Sequence, residues 1–130
     1  MLTQPMVAMI ETALARALAT SGPHGVNVVP VSVLKVESDK VYLYNFFMGK
    51  TVENIAVQPL VALTCWQGLE GIQIKAIAEY VSGGPMFESA VEEMKMRFPD
   101  RTLKGVIVVI PTAVYDISAD AARAGVELAS

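Results

Sequence analysis

The chain has 130 residues, 53% of them apolar and 18% charged, with a net charge of −3. This composition excludes a disordered chain, and the length suits one domain over 1–130 whose core needs no staples. The acidic balance leaves no basic footprint for nucleic acid, no run of about 18 apolar residues predicts a membrane span, and the single cysteine, Cys65, excludes an internal disulfide or a multi-cysteine metal site.

Residues 1–14 predict a helix, because Met6, Met9, Ile10, Ala13 and Leu14 recur at helical spacing and Pro5 suits a first turn. The segment lacks a basic leader and its apolar residues are periodic. It therefore reads as a helix rather than a signal peptide, and a cytoplasmic location is expected. ALATSGPHGVNVVPV follows as strand, turn and strand, punctuated by Gly22, Pro23 and Gly25, the second strand running on to about Val36. ESDK is a turn, and VYLYNFF a third strand rich in β-branched and aromatic residues.

KTVENIAVQ predicts a helix of about two turns, stopped by Pro59. LVALTCW is a short buried strand. In GIQIKAIAEYVS the alternation puts Ile72, Ile74, Ala76, Ala78 and Tyr80 on one face, and Gln73, Lys75 and Glu79 on the other. GGPMFESAVEEMKMRFPD predicts the clearest helix, with Phe87, Ala90, Val91, Met94 and Phe98 as its apolar stripe and Glu93 and Arg97 as a pair one turn apart. KGVIVVIPTAVYDIS is a final long strand, and the tail, 119–130, reads as a frayed helix or as disordered.

About six strands and three helices result, in an order that is not a βαβ alternation, so a doubly wound parallel sheet is disfavoured. Runs that are apolar on both faces, such as VNVVPVSVL, predict a small antiparallel barrel, mainly β with peripheral helices, whose outer wall is also covered. The apolar excess calls for an oligomer interface.

The chain is poor in catalytic groups. Its one histidine, His24, sits in a Gly-Pro turn, and Cys65 lies in an apolar strand as a core residue. Hydrolytic triads and zinc sites need more partners than these, so no metal site is expected, no catalytic residue is assigned, and reaction chemistry would have to come from a cofactor. The stretch NFFMGKTVENI stands out. Gly49 allows close backbone approach, Lys50 brings a charge to a helix start, and Thr51 brings a hydroxyl to about the N-cap position. The group reads either as a phosphate cradle or as an ordinary helix cap beside a solvated lysine. Neither a P-loop nor GxGxxG is present. Gln73 and Lys75 read either as a solvent-facing strand surface or as groups facing a ligand, and Trp66 and Phe46–Phe47 as core or as a surface for a planar ring.

The order LATSGPHGVNVVPVSVLKV, YLYNFFMGKTVENI, QPLVALT, IQIKAIAEY, GGPMFE resembles the FMN-binding split barrel superfamily, the pyridoxamine 5′-phosphate oxidase-like proteins, and above all its small FMN-binding members. The likeness spans about residues 15–117, with GKTxxN at 49–54 its most specific piece. It implies a homodimer of six-stranded antiparallel split barrels with non-covalently bound FMN in clefts at the interface, acting as an oxidoreductase or electron-transfer protein. The alternatives it leaves are a non-catalytic flavin carrier and an F420-dependent reductase or haem-binding member of the same fold, haem being disfavoured because His24 is the only histidine and lies in a turn.

By the same likeness Lys50 and Thr51 would hold the FMN phosphate, with Asn54 in support and Met48 and Gly49 in the same loop. Val29, Pro30, Val31 and Ser32 would run along the isoalloxazine, Asn45, Phe46 and Phe47 would lie beside it, and Gln73 would make a polar flavin contact. The arginine-rich C-terminal substrate motif of true pyridoxamine phosphate oxidases has no counterpart in TAVYDISADAARAGVELAS, so that activity is not expected. Lys35 and Lys75 are the strand cations near the expected site, too few for a second phosphate pocket.

Overall fold

A computed structural model describes residues 1–130. Helix α1 is Gln4–Thr12, and strands β1 (Ala15–Thr20), β2 (Asn27–Pro30), β3 (Leu34–Glu37) and β4 (Lys40–Asn45) follow. Then come α2 (Lys50–Val57), β5 (Leu60–Gln67), β6 (Glu70–Val81), α3 (Pro85–Arg97), β7 (Gly105–Asp116) and β8 (Glu127–Ala129). One antiparallel sheet runs in the order β2-β1-β5-β6-β7-β4-β3, with β8 added to β7.

The strand expected to run unbroken to Val36 is split in two. Pro30 ends the first half, and residues 31–33 carry the chain from one edge of the sheet to the other. Val31 donates to the Arg16 carbonyl at 3.1 Å, beside β2, and Tyr44 donates to the Val33 carbonyl at 3.2 Å, beside β3. The sheet thereby curls and closes on itself through Ser32. Pro30 still pairs with Ala17, and the change of partner falls after Val31. Arg16 braces the crossing, donating to the Ser32 carbonyl at 3.1 Å and to the α1 carbonyls of Ile10 and Glu11 at 2.6 and 2.7 Å.

The barrel interior is filled by inward-facing residues of β1, β4, β5, β6 and β7, among them Leu18, Val41, Leu43, Leu63, Ile74, Ile107, Val109 and Val114. Met6 and Ile10 of α1 and Ile55 of α2 pack onto this core. In β6 the predicted alternation is observed, with Ile72, Ile74, Ala76 and Ala78 buried and Lys75 and Glu79 exposed. A second core lies outside the barrel, where Ala90 and Met94 of α3 cover Tyr44, Val106 and Val108. This explains why 106–109 is buried on both faces. The run VNVVPVSVL, from which a covered outer wall was expected, is not covered in this way: Val26 is 85% and Val28 61% exposed.

Three local expectations need correction. Helix α1 stops at Thr12, so Leu14 lies outside it and is 84% exposed. Glu93 and Arg97 form no ion pair, since the paired groups are elsewhere in the chain. The tail is neither a frayed helix nor disordered: Arg123 donates twice to Glu70, at 2.9 and 2.8 Å, and β8 pairs with β7. The strand total is accordingly eight rather than six. No helix is long and apolar enough to cross a membrane.

Candidate functional site

The largest cavity has a volume of about 470 Å³ and lies between β2, the 31–33 crossing, the end of β4 and the start of α2. That volume lies in the range of about 300–1,000 Å³ common to small-molecule sites. Ten residues singled out in the sequence meet there: Val29, Pro30, Val31 and Ser32 on one wall, Phe46, Phe47, Met48 and Gly49 in the loop after β4, and Lys50 and Thr51 at the start of α2.

The loop from 46 to 49 is shaped by Asn45, which is 1% exposed. Its side-chain oxygen accepts from Met48 N at 2.7 Å, while its nitrogen donates to the Met48 carbonyl at 3.2 Å and to the Tyr80 hydroxyl at 2.9 Å. Asn45 therefore holds the loop and does not line the cavity.

The start of α2 departs from the expected cap. Gly49, not Thr51, occupies the N-cap position, and no side chain caps the helix. Thr51 is 1% exposed, and its hydroxyl accepts from Asn27 Nδ2 at 3.1 Å. Turned inward and tied to β2, it is not available to the helix amides. The first-turn N–H groups have no intrahelical partner, which makes the end electropositive. Lys50 is exposed beside them.

Asn54, fully buried, is a staple. It donates to Thr20 Oγ1 and the Gly25 carbonyl, both at 3.1 Å, and accepts from His24 N at 3.0 Å. It ties the turn between β1 and β2 to α2, and so aligns β2 with the helix start. The His24 ring pairs with Glu53 on the same surface and does not line the cavity. Gln73 lies elsewhere, within β6 opposite Thr64 and Tyr115. Lys35 and Lys75 also lie outside the cavity.

Four lining residues were not anticipated: Asn27, Val33, Tyr44 and Arg101. Burial raises the Tyr44 phenol above its usual range, so it remains a neutral hydrogen-bonding group at pH 7. Arg101, in the loop between α3 and β7, stands over Phe98, Phe46 and Phe47 at 4.5, 5.4 and 5.8 Å from the ring centroids. Asn27 was legible only as a polar residue at the head of a strand. Arg101 carried no local signal at all.

A single curled antiparallel sheet with three helices around it, and a cavity where the sheet closes, is the FMN-binding split barrel architecture. Residues 2–124 match the family model described as pyridoxamine 5′-phosphate oxidase, and the chain belongs to that family. It is 35% identical over 121 residues to the uncharacterized protein MJ0282 of Methanocaldococcus jannaschii, covering 89% of this chain and 80% of that protein. Its fold is similar to that of HupZ from Group A Streptococcus, with a TM-score of 0.81 at 19% identity, covering 97% of this chain and 99% of the other. It is also similar to that of an FMN-binding protein from Syntrophomonas wolfei subsp. wolfei, with a TM-score of 0.73 at 17% identity, covering 88% and 84% of the two chains.

Proposed function

We propose that the chain binds FMN non-covalently in this cavity and serves as an oxidoreductase or electron-transfer protein. The observation that carries the reading is the continuity of one cavity. Its lining runs from an electropositive helix start with Lys50 and Thr51 to an apolar wall of Val29–Val31 and Phe46–Phe47. A phosphate suits the first end and a planar ring the second. Lys50 would pair with the phosphate, the α2 amides would donate to it, and Thr51 would add its hydroxyl. Val29 to Ser32 would orient the ring and exclude water from one side. Bound FMN would supply the redox chemistry itself.

The site is proposed to be completed by a second copy of the chain. Exposed Val28, Leu60 and Ile77 are apolar surface of the kind an interface covers, and Gln73, remote from the cavity of its own chain, would contact the flavin from the other subunit. Light scattering tests the dimer, and a monomer with full FMN affinity contradicts this arrangement.

The purified protein should be yellow, absorb near about 370 and 450 nm, and release FMN on denaturation. A colourless protein that takes up no FMN defeats the reading. Bound FMN that no pyridine nucleotide reduces favours a carrier or a partner-fed electron carrier, and uptake of F420 in preference to FMN favours a deazaflavin-dependent reductase.

A further inference from the structure

Residues 95–104 hold four cations, Lys95, Arg97, Arg101 and Lys104, against one carboxylate, Asp100. In a chain of net charge −3 this is a local reversal of sign. All four cations are exposed, and the ion pairs of the chain engage the N-terminus, His24, Lys35 and Arg123 instead. The four also adjoin one another in space. The guanidinium carbons of Arg97 and Arg101 lie 5.3 and 4.5 Å from the centroid of the same ring, Phe98. Lys95 and Arg101 line a second groove, of about 440 Å³, together with apolar Met94, Pro99 and Leu103. The Lys104 N–H donates to the Asn45 carbonyl at 2.8 Å, which sets Lys104 beside the end of β4 and the Phe46–Phe47 loop. Lys95, Arg97 and Lys104 do not line the FMN cavity, so a ligand held there leaves their charge in place.

We infer that this basic face, with the groove beside it, docks an acidic electron-carrier protein. The inference rests on the reading of the chain as an electron-transferring flavoprotein, and deepens it by giving the electrons a source. Phe47, 78% exposed with Arg101 5.8 Å from its ring centroid, joins the face to the mouth of the cavity. Exposed aromatic surface and arginine beside an apolar groove are what protein interfaces are enriched in. The unpaired cations set the sign of the partner and steer its approach. Glu88, Glu92 and Glu93, exposed earlier on α3, bound the face and would repel a nucleic-acid backbone running on from it. A one-electron carrier would be oxidised twice for each FMN reduced, and two protons would come from water.

The test compares wild type with the triple variant Lys95→Gln, Arg97→Gln, Lys104→Gln, and with Lys95→Arg, Arg97→Lys, Lys104→Arg, which keeps the charge. The three residues are exposed, so both variants are expected to fold, and melting curves check this. The probe is an acidic plant-type [2Fe–2S] ferredoxin, with a basic cytochrome c as control. Each is titrated into the full chain, flavin-free and FMN-loaded, and followed at the backbone amides. Ferredoxin should shift the amides of residues 95–104 and 46–49, and cytochrome c should not. Affinity for ferredoxin should fall by about tenfold in the glutamine variant, weaken with added salt, and persist in the charge-keeping variant. In FMN-loaded protein the rate of reduction by ferredoxin should fall in parallel, while reduction by a neutral dithiol is unchanged.

No binding of ferredoxin to wild type, equal binding to wild type and the glutamine variant, or shifts confined to other surfaces overturn the inference. So does an RNA oligonucleotide that shifts residues 95–104 where ferredoxin does not. FMN-loaded protein that ferredoxin reduces equally fast with and without the three cations overturns the docking face and leaves the FMN proposal standing. A chain that takes up no FMN, yet binds ferredoxin through residues 95–104, defeats the FMN proposal and leaves the docking face standing.

Discussion

Asn27 donates from its side-chain nitrogen to the Thr51 hydroxyl at 3.1 Å, joining β2 to the first turn of α2, and both residues line the same cavity. The bond spends an acceptor site of Thr51 and leaves its hydrogen free for a ligand oxygen. Thr51→Val keeps the shape of the side chain but strands Asn27. FMN affinity should fall by roughly 1–3 kcal/mol while riboflavin affinity changes less, as read by quenching of flavin fluorescence.

Asn54→Ala removes three hydrogen bonds at a fully buried position and leaves Thr20, Gly25 and His24 to find other partners. The variant should lose roughly 2–4 kcal/mol of stability in urea unfolding. Unchanged stability would mean that the turn is not held by this side chain.

Gly105 offers a test at a distance from the cavity. A methyl group there would overlap the Tyr80 ring, whose hydroxyl accepts from Asn45 at 2.9 Å. Asn45 in turn shapes the Met48 loop. Gly105→Ala should therefore cost about 1–3 kcal/mol in stability and also weaken flavin binding, although residue 105 lines no part of the cavity. Reduced stability with full flavin affinity would uncouple Tyr80 from the loop.

The tail should detach in acid. Hydrogen bonds from Arg123, then from Ser118, hold the Glu70 carboxyl below its usual range. A carboxylate with a depressed folded pKa adds stability that is present above its unfolded pKa and lost as pH falls through the folded value. Hydrogen exchange at Glu127–Ala129 should accelerate as pH drops below the ordinary carboxylate range, and Glu70→Gln should show the same acceleration at pH 7. Exchange that is independent of pH, after correction for the intrinsic rate, would remove Glu70 from the account.

Much of this organisation was legible in the chain because it is local. The alternation in β6, the apolar stripe of α3 and the Gly49–Thr51 step all sit within a few consecutive residues. What escaped the sequence reading depends on partners far along the chain. Thr51 was expected to cap its own helix, yet its hydroxyl meets Asn27. Residues 31–33 continue the apolar run of β2, and only the closure of the sheet reveals that they change partner. The tail lacks strand character of its own and is held by Glu70 through Arg123. Arg101 follows a helix stop, and it matters because Phe46, Phe47 and Phe98 come together from two segments.

The central claim, that the cavity holds FMN by its phosphate at the start of α2, is tested most directly by calorimetric titration of FMN into flavin-free protein. Wild type is compared with the Lys50→Ala, Thr51→Ala double variant. The account predicts saturation at about one FMN per chain, with affinity reduced by roughly 2–4 kcal/mol in the double variant, the scale of a few charge-assisted hydrogen bonds. FMN binding of equal strength in both proteins, or none in wild type, would contradict it.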